Sequence, residues 1–340
     1  MYLAFFGLRE RPFQLTPNPR FLFLNPAHRE ALATLRYGLS SSLGITLLIG
    51  DAGTGKTTLL HAALNAEQRP DHRYAVLNNP TLAPADFYEI LSEAFGLPHT
   101  SGSKGRFLLA FERDLIARHN AGGLTALVID EAQTLSHELF EEIRMLANLE
   151  TPTAKLVNLV LVGQRELAVR LNDPSLRQFK QRIVLRCSLP PLDHYWTAAY
   201  IAARLQVAGA DAGHVFTRDA VAAIFEASRG IPRIIGVICE NALLAGYAAQ
   251  RKPIDRSIVT DVCRDLDLAV DGRPPREDSA VPEEEFVAEE RPAAPEAPQP
   301  RRRASRLWFA SRSKEARPER ADEDTETPRG EDRSRMFRYF

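Results

Sequence analysis

The chain has 340 residues, of which 44% are hydrophobic and 26% charged, as in a soluble protein and unlike a membrane protein or a fully disordered chain. Its 43 basic and 44 acidic residues give a formal net charge of -1, so no overall field attracts nucleic acid or an anionic membrane. The three cysteines have neither the number nor the spacing of a disulfide framework or a zinc site, which favours a reducing compartment.

Composition and periodicity divide the chain into four parts. Residues 1–43 lead into a first strand, and residues 44–191 alternate short apolar runs with helical patterns. This alternation predicts an α/β core with a parallel sheet covered on both faces. Residues 192–270 carry helical patterns only and predict a small all-α domain. Residues 271–340 lose apolar periodicity and gain proline and charge, so we expect a disordered tail.

Five strands are predicted, at residues 45–49, 75–77, 124–129, 156–162 and 183–185. Four helices are predicted in the all-α domain, at residues 198–207, 219–227, 234–249 and 257–268. Thr217 stands where its side chain can cap the second of these helices.

A glycine-rich segment follows the first predicted strand. It consists of Gly50, Asp51, Ala52, Gly53, Thr54, Gly55, Lys56, Thr57 and Thr58. In this phosphate-binding pattern the backbone N–H groups turn toward phosphates, Lys56 reaches the β and γ oxygens, and Thr57 ligates Mg²⁺. The alternative is a glycine-rich turn without a ligand. Because strand, loop and helix stand in the required order, we predict a site for ATP and Mg²⁺.

The third predicted strand ends in two carboxylates, Asp130 and Glu131. In a fold with a phosphate loop, an aspartate at such a strand end holds Mg²⁺, and a following glutamate polarises the attacking water. A solvated acidic turn is the alternative, and it is less consistent with a neighbouring phosphate loop. We therefore predict Thr57 and Asp130 as Mg²⁺ ligands and Glu131 as a catalytic residue.

Gln164 follows the fourth predicted strand. Parallel strands deliver their carboxyl ends to the ligand crevice, so Gln164 is a candidate for orienting water or contacting the γ-phosphate. A simple turn residue is the alternative at this position.

Two arginines complete the candidates. Arg182 precedes the fifth strand, and Arg233 follows Pro232, which can open the first turn of a helix. A guanidinium beside a transferring phosphoryl group stabilises the charge of the transition state. A surface salt bridge is the alternative for both, and sequence position by itself does not decide.

These motifs together resemble the AAA+ ATPases, and residues 1–269 resemble the ATPase domain of the general secretion pathway protein A family. The more specific segments are Met1-Tyr2, Phe6-Gly-Leu-Arg-Glu10, Pro12-Phe13, Thr16-Pro17-Asn-Pro19, Phe21-Leu22, His28-Arg-Glu-Ala-Leu32 and Tyr37-Gly-Leu39. The resemblance implies a P-loop fold of the AAA+ type, with a sheet sandwiched by helices and a small helical lid. Stand-alone ATPases of exosortase and exopolysaccharide loci are similar, and transposition helper ATPases share the core.

The resemblance also implies roles. Gln164 corresponds to sensor 1, Arg182 to a finger acting on a neighbouring subunit's nucleotide, and Arg233 to sensor 2. An ATP-dependent homo-oligomer is implied as well. Secretion-type members continue through a membrane segment into a periplasmic peptidoglycan-binding domain, whereas the residues after 269 are polar here.

The leading hypothesis is an ATPase that energises or regulates assembly of a secretion or envelope export system, with an inner-membrane component as partner. The alternatives are a DNA helper of the transposition or origin-recognition type and a slow nucleotide switch. DNA is less favoured as a partner, because we find no clear basic stripe on the lid and no added helix-turn-helix domain. No apolar run approaches the ~20 residues that cross a bilayer, so we expect a cytoplasmic location, peripheral to the inner membrane.

Overall fold

Five parallel strands form the centre of the structure, a computed structural model that describes residues 1–268 except 15, 17, 79 and 98–102. They are β1 (Ile45–Gly50), β2 (Arg73–Leu77), β3 (Thr125–Ile129), β4 (Asn158–Gly163) and β5 (Ile183–Leu189). Their order in the sheet is β2-β3-β4-β1-β5. The predicted parallel sheet is therefore confirmed. The predicted tail, residues 271–340, lies outside the described residues.

Thirteen α-helices are found among the described residues. They are α1 (Tyr2–Phe6), α2 (Pro26–Ser40), α3 (Lys56–Ala66), α4 (Pro84–Ala94), α5 (Lys104–Asn120), α6 (His137–Leu146), α7 (Arg165–Arg170), α8 (Arg177–Lys180), α9 (His194–Val207), α10 (Ala212–Val215), α11 (Arg218–Ser228), α12 (Pro232–Ala248) and α13 (Arg256–Asp265). Within that part of the chain, none has the length and apolar character that a membrane span requires.

Helices cover both faces of the sheet because successive strand residues point to opposite sides. In β1, Leu47 packs into a cluster that includes Phe87 of α4 and Phe107 of α5. The next residue, Leu48, packs with Leu35 of α2 and Leu59 of α3 on the other face. Strands buried on both faces are continuous in apolar residues, which explains why their positions are readable from the sequence.

Local capping fixes where the helices of the all-α domain begin. The Thr217 side chain accepts a hydrogen bond from the Ala220 backbone at 3.2 Å, so the predicted cap is confirmed. Asp193 does the same for the Trp196 backbone at 2.7 Å, and α9 therefore begins before the predicted residue 198. Pro232 occupies the first turn of α12, as predicted.

The N-terminal segment, residues 1–24, packs on the helices after residue 192, which we call the lid. Phe6, Phe13 and Phe21 are buried in one cluster with lid residues such as Ile238. The Tyr2 hydroxyl donates to Glu240 Oε1 of α12 at 2.6 Å. The segment then continues into α2, which packs on the sheet. A single stretch of chain thus contacts the lid first and the sheet next.

Gly230 closes the turn before α12, and we expect its replacement by alanine to destabilise the protein. Its φ of 74° is left-handed, and an added Cβ would lie 1.7 Å from the backbone oxygen of Leu192. Gly230→Ala should lower the free energy of unfolding in urea by at least about 2 kcal/mol, because left-handed backbone costs an alanine about 1–2 kcal/mol before any clash. Gly105→Ala is the matched control: an added Cβ meets no atom there, so this helical change should be neutral or stabilising.

Candidate functional site

The candidate site lies at the carboxyl end of the sheet, where β1 runs into the glycine-rich loop. A cavity of about 470 Å³ opens there between the loop, the lid and the N-terminal segment. Its lining includes Lys56, Thr57, Glu131, Gln164 and Arg233. This volume lies within the usual range of small-molecule sites.

The loop backbone needs glycine at two positions. Gly53 and Gly55 have φ values of 81° and 100°, which other residues rarely adopt. Directly after Gly55, α3 begins at Lys56, so the free N–H groups of its first turn face the loop. Such a helix end attracts anions through its N–H groups and its dipole.

The Lys56 side chain is buried under this loop. Its Nζ donates to the backbone oxygens of Gly50 at 2.9 Å and Asp51 at 3.0 Å. Burial lowers the pKa of Lys56, while the carboxylates of Glu131 and Asp130 act in the opposite direction. The loop therefore holds a cationic side chain close to two acidic groups.

Thr57 and Asp130 meet beside Lys56. The Thr57 hydroxyl donates to Asp130 Oδ2 at 2.7 Å, and Asp130 Oδ1 accepts from the Glu131 backbone at 2.9 Å. A hydroxyl and a carboxylate are the oxygen ligands that Mg²⁺ prefers when it also binds phosphates. The donor set of these two residues therefore fits the predicted ion.

Glu131 and Gln164 are also in contact. Gln164 Nε2 donates to Glu131 Oε2 at 3.1 Å. Glu131 has a φ of 53°, an uncommon backbone conformation for a residue with a side chain, and such conformations cluster at functional sites. The ends of β3 and β4 thus place a carboxylate and an amide side by side at the cavity.

Arg233 reaches the cavity from the lid. Its backbone N–H donates to the Gly53 oxygen at 3.2 Å, so the start of α12 rests directly on the loop. The Arg233 side chain is exposed and lines the cavity.

Arg182 lies at the opposite end of β1 from the glycine-rich loop. It precedes β5, and Ile183 pairs with Ile45, the first residue of β1. The loop follows the far end of β1, and six strand residues span about 20 Å. The Arg182 side chain donates to Asn148. Arg182 is therefore separated from the phosphate loop of its own chain by the length of the sheet.

Three further features were not singled out from the sequence. Gln133 contacts Glu131 and the backbone of Gln164. Arg165 forms an ion pair with Asp51 of the loop at 2.7 Å. The contact between Gln133 and Gln164 and the ion pair of Arg165 have no signal in the sequence, because each joins the ends of different elements.

The third feature is a smaller cavity of about 90 Å³, lined by aromatic and apolar side chains that include Phe21, Phe23 and Tyr200. His28 also lines it, and burial lowers the pKa of this imidazole while a backbone hydrogen bond with Thr54 raises it. The Arg204 guanidinium lies 5.0 Å from the Phe21 ring centroid. The segment that contains Phe21 was recognised in the sequence as part of the family resemblance, but no functional role was predicted for it.

Comparisons with known proteins support the predicted fold. Residues 39–171 match the AAA domain. Over 250 residues the chain is 42% identical to general secretion pathway protein A of Aeromonas hydrophila, covering 73% of this chain and 45% of that protein. The chain therefore spans about half the length of this curated relative.

Solved structures are similar in fold. Cdc6p from Pyrobaculum aerophilum aligns with a TM-score of 0.59 and 19% identity, over 75% of this chain and 70% of its own. Drosophila ORC bound to DNA aligns with a TM-score of 0.57 and 19% identity, over 76% of this chain and 65% of its own. At such identities the likeness shows the fold alone.

Proposed function

Because the chain carries an AAA domain and has the predicted P-loop AAA+ fold, we propose that it binds ATP with Mg²⁺ and hydrolyses it to ADP and phosphate. The observation that carries this proposal is the contact of Glu131 with Gln164, in the cavity where Thr57 meets Asp130. A carboxylate suited to activating water is thus close to a hydroxyl and a carboxylate suited to holding Mg²⁺, next to the glycine-rich loop. Phosphoryl transfer requires this combination of positioning and charge.

The phosphates bind at the glycine-rich loop. Backbone N–H groups of the loop and of the first turn of α3 donate to phosphate oxygens. Lys56 exchanges its present acceptors, the oxygens of Gly50 and Asp51, for the β and γ oxygens. Thr57 and Asp130 would hold the ion, and it would neutralise charge on the phosphates.

Glu131 and Gln164 act on the attacking water. The Glu131 carboxylate accepts a hydrogen bond from the water and raises its nucleophilicity, and Gln164 keeps the water in line with the γ-phosphate. Arg233 contacts the phosphates from the lid. Since its backbone is already bonded to Gly53, a change at the γ-phosphate is transmitted to α12.

The purine base occupies the smaller cavity. Phe21 and Tyr200 offer aromatic surface there, and Phe21 belongs to the N-terminal segment while Tyr200 belongs to the lid. Base binding therefore draws on both parts. This arrangement lets the nucleotide alter the angle between lid and sheet, which a partner protein can recognise.

We assign the pathway to secretion or to envelope and exopolysaccharide export. The support is 42% identity with a protein named for general secretion, over 73% of this chain. The working form is then an ATP-dependent homo-oligomer at the cytoplasmic face of the inner membrane, bound to a component of the export system. A DNA helper has weaker support, because the likeness to Cdc6p and ORC extends to the fold only.

Affinity capture tests the pathway. The full chain with Glu131→Gln, held in the ATP-bound state, should retain an inner-membrane export component, and Lys56→Ala should not. Retention of DNA instead, in an ATP-dependent manner, would replace the export assignment by the helper assignment.

Lys56→Ala tests nucleotide binding itself. Charge-assisted hydrogen bonds contribute about 1.5–3 kcal/mol, so we expect ATP to bind about 10- to 100-fold more weakly, measured by isothermal titration. Lys104→Ala is the control, because Lys104 is an exposed lysine that pairs with Glu142 and does not line the cavity. Equal affinity of Lys56→Ala and wild type would remove the phosphate-site assignment.

A further inference from the structure

Gln133 lies in the short 3₁₀ turn Ala132–Thr134 that follows β3, between the two side chains assigned to water activation. Its Nε2 donates to Glu131 Oε2, the oxygen that also accepts from Gln164 Nε2. Its Oε1 accepts from the backbone N–H of Gln164 at 3.0 Å. One amide thus joins the end of β3 to the end of β4.

The partners of Gln133 fix the orientation of its amide. A carboxylate oxygen only accepts, so the group facing Glu131 must be the NH₂. A backbone N–H only donates, so the group facing Gln164 must be the carbonyl oxygen. A flipped amide would lose both hydrogen bonds. This side chain therefore has one bonded arrangement rather than two.

The surroundings of Gln133 hold it in place. Gly163 makes room for it, since a Cβ on that residue would lie 3.0 Å from Gln133 Oε1. The Arg170 guanidinium donates to the Gln133 backbone oxygen and lies 5.2 Å from the Phe140 ring centroid. The turn is thus anchored to α6 and α7, outside the cavity.

From these contacts we propose that Gln133 is a positioning residue for ATP hydrolysis, which sets the orientation of the Glu131 carboxylate and ties it to Gln164. This inference rests on the proposed function. Both amide donors meet Oε2, and the hydrogen bonds found among the described residues include none to Oε1. Oε1 is thus the oxygen left to accept a hydrogen bond from the attacking water. Displacing a reacting group by about 1 Å can lower a rate about 10²-fold, so such an anchor affects turnover.

The first test separates turnover from binding. Gln133→Ala should lower kcat about 10- to 100-fold while the Kd for ATP stays within about twofold of wild type. Gln133→Glu keeps the length and the acceptor for Gln164 but replaces the donor by a second carboxylate, so it should lose at least as much kcat. Gln68→Ala, which removes an exposed glutamine bonded to Asn65 away from the cavity, is the control and should turn over ATP like wild type.

A double-mutant cycle tests whether Gln133 acts through Glu131. In the Glu131→Gln background, Gln133→Ala should lower the residual single-turnover rate less than twofold, because the carboxylate it orients is gone. A full additional loss in that background would overturn the inference, as would wild-type kcat in Gln133→Glu. An inactive wild-type protein would instead refute the proposed ATPase. Unchanged thermal melting of each variant excludes misfolding.

Discussion

Glu131→Gln should lower the turnover of ATP by about 10²- to 10⁴-fold without weakening its binding, the range that a positioned general base contributes. The amide keeps the size of the side chain but cannot accept the proton of the attacking water. The phosphate loop, which supplies affinity, is unchanged. Phosphate release under saturating ATP measures the first effect, and titration with ATP measures the second.

A carboxylate outside the cavity provides the control for this experiment. Glu138 lies in the first turn of α6 and is exposed, so Glu138→Gln should have the kcat of wild type. Turnover in Glu131→Gln within twofold of wild type would remove Glu131 from the mechanism, and with it the role given to Gln133.

Arg182→Ala should bind ATP normally yet lose about 10³-fold or more of its turnover, as enzymes do when an arginine supplied from another molecule is removed. The length of β1 separates Arg182 from its own loop, so an action of Arg182 on the phosphates requires a second copy of the chain. For the same reason, the specific activity of the wild type should rise with protein concentration as subunits assemble. Arg264→Ala, which removes an exposed arginine paired with Asp261 on α13, should leave turnover unchanged.

Mixing two inactive variants tests directly whether Arg182 acts across a subunit interface. A Glu131→Gln subunit still offers Arg182, and an Arg182→Ala subunit still has its carboxylate, so some interfaces in mixed assemblies are complete. Activity should reappear on mixing and should be absent from either protein alone at the same total concentration. If light scattering shows co-assembly and the mixture stays inactive, Arg177 or Arg186 becomes the candidate finger.

The central strands were predictable because their apolar character is local and continuous. The edge strand β5 was not predicted at full length, since it extends from residue 183 to Leu189 although the apolar run ends at residue 185. Arg186 and Ser188 face solvent, while Cys187 and Leu189 are buried. An edge strand alternates in this way, and residues 186–189 give only the shortest alternation that indicates a strand, directly after a continuous apolar run.

The placement of the candidate site residues was predictable wherever they belong to one contiguous motif. The phosphate loop and the pair Asp130 and Glu131 are contiguous segments that follow strands, so parallel topology brings them together. Gln133 was missed because its importance comes from a contact with Gln164, 31 residues away. The distance of Arg182 from its own loop was likewise not predictable, because it depends on how β5 pairs with β1, and the sequence does not determine that register by itself.

The packing of the N-terminal segment on the lid has a consequence for biosynthesis. Tyr2 and its partner Glu240 are 238 residues apart, so during synthesis Tyr2 and the aromatic residues that follow it stay exposed until α12 has been made. Contacts between such distant residues form slowly, and apolar surface left exposed meanwhile favours aggregation. We therefore expect the nascent chain to engage a chaperone through residues 1–24 until α12 has been synthesised. The yield of folded protein in cells should then rise with the supply of chaperone, whatever the stability of the folded protein itself.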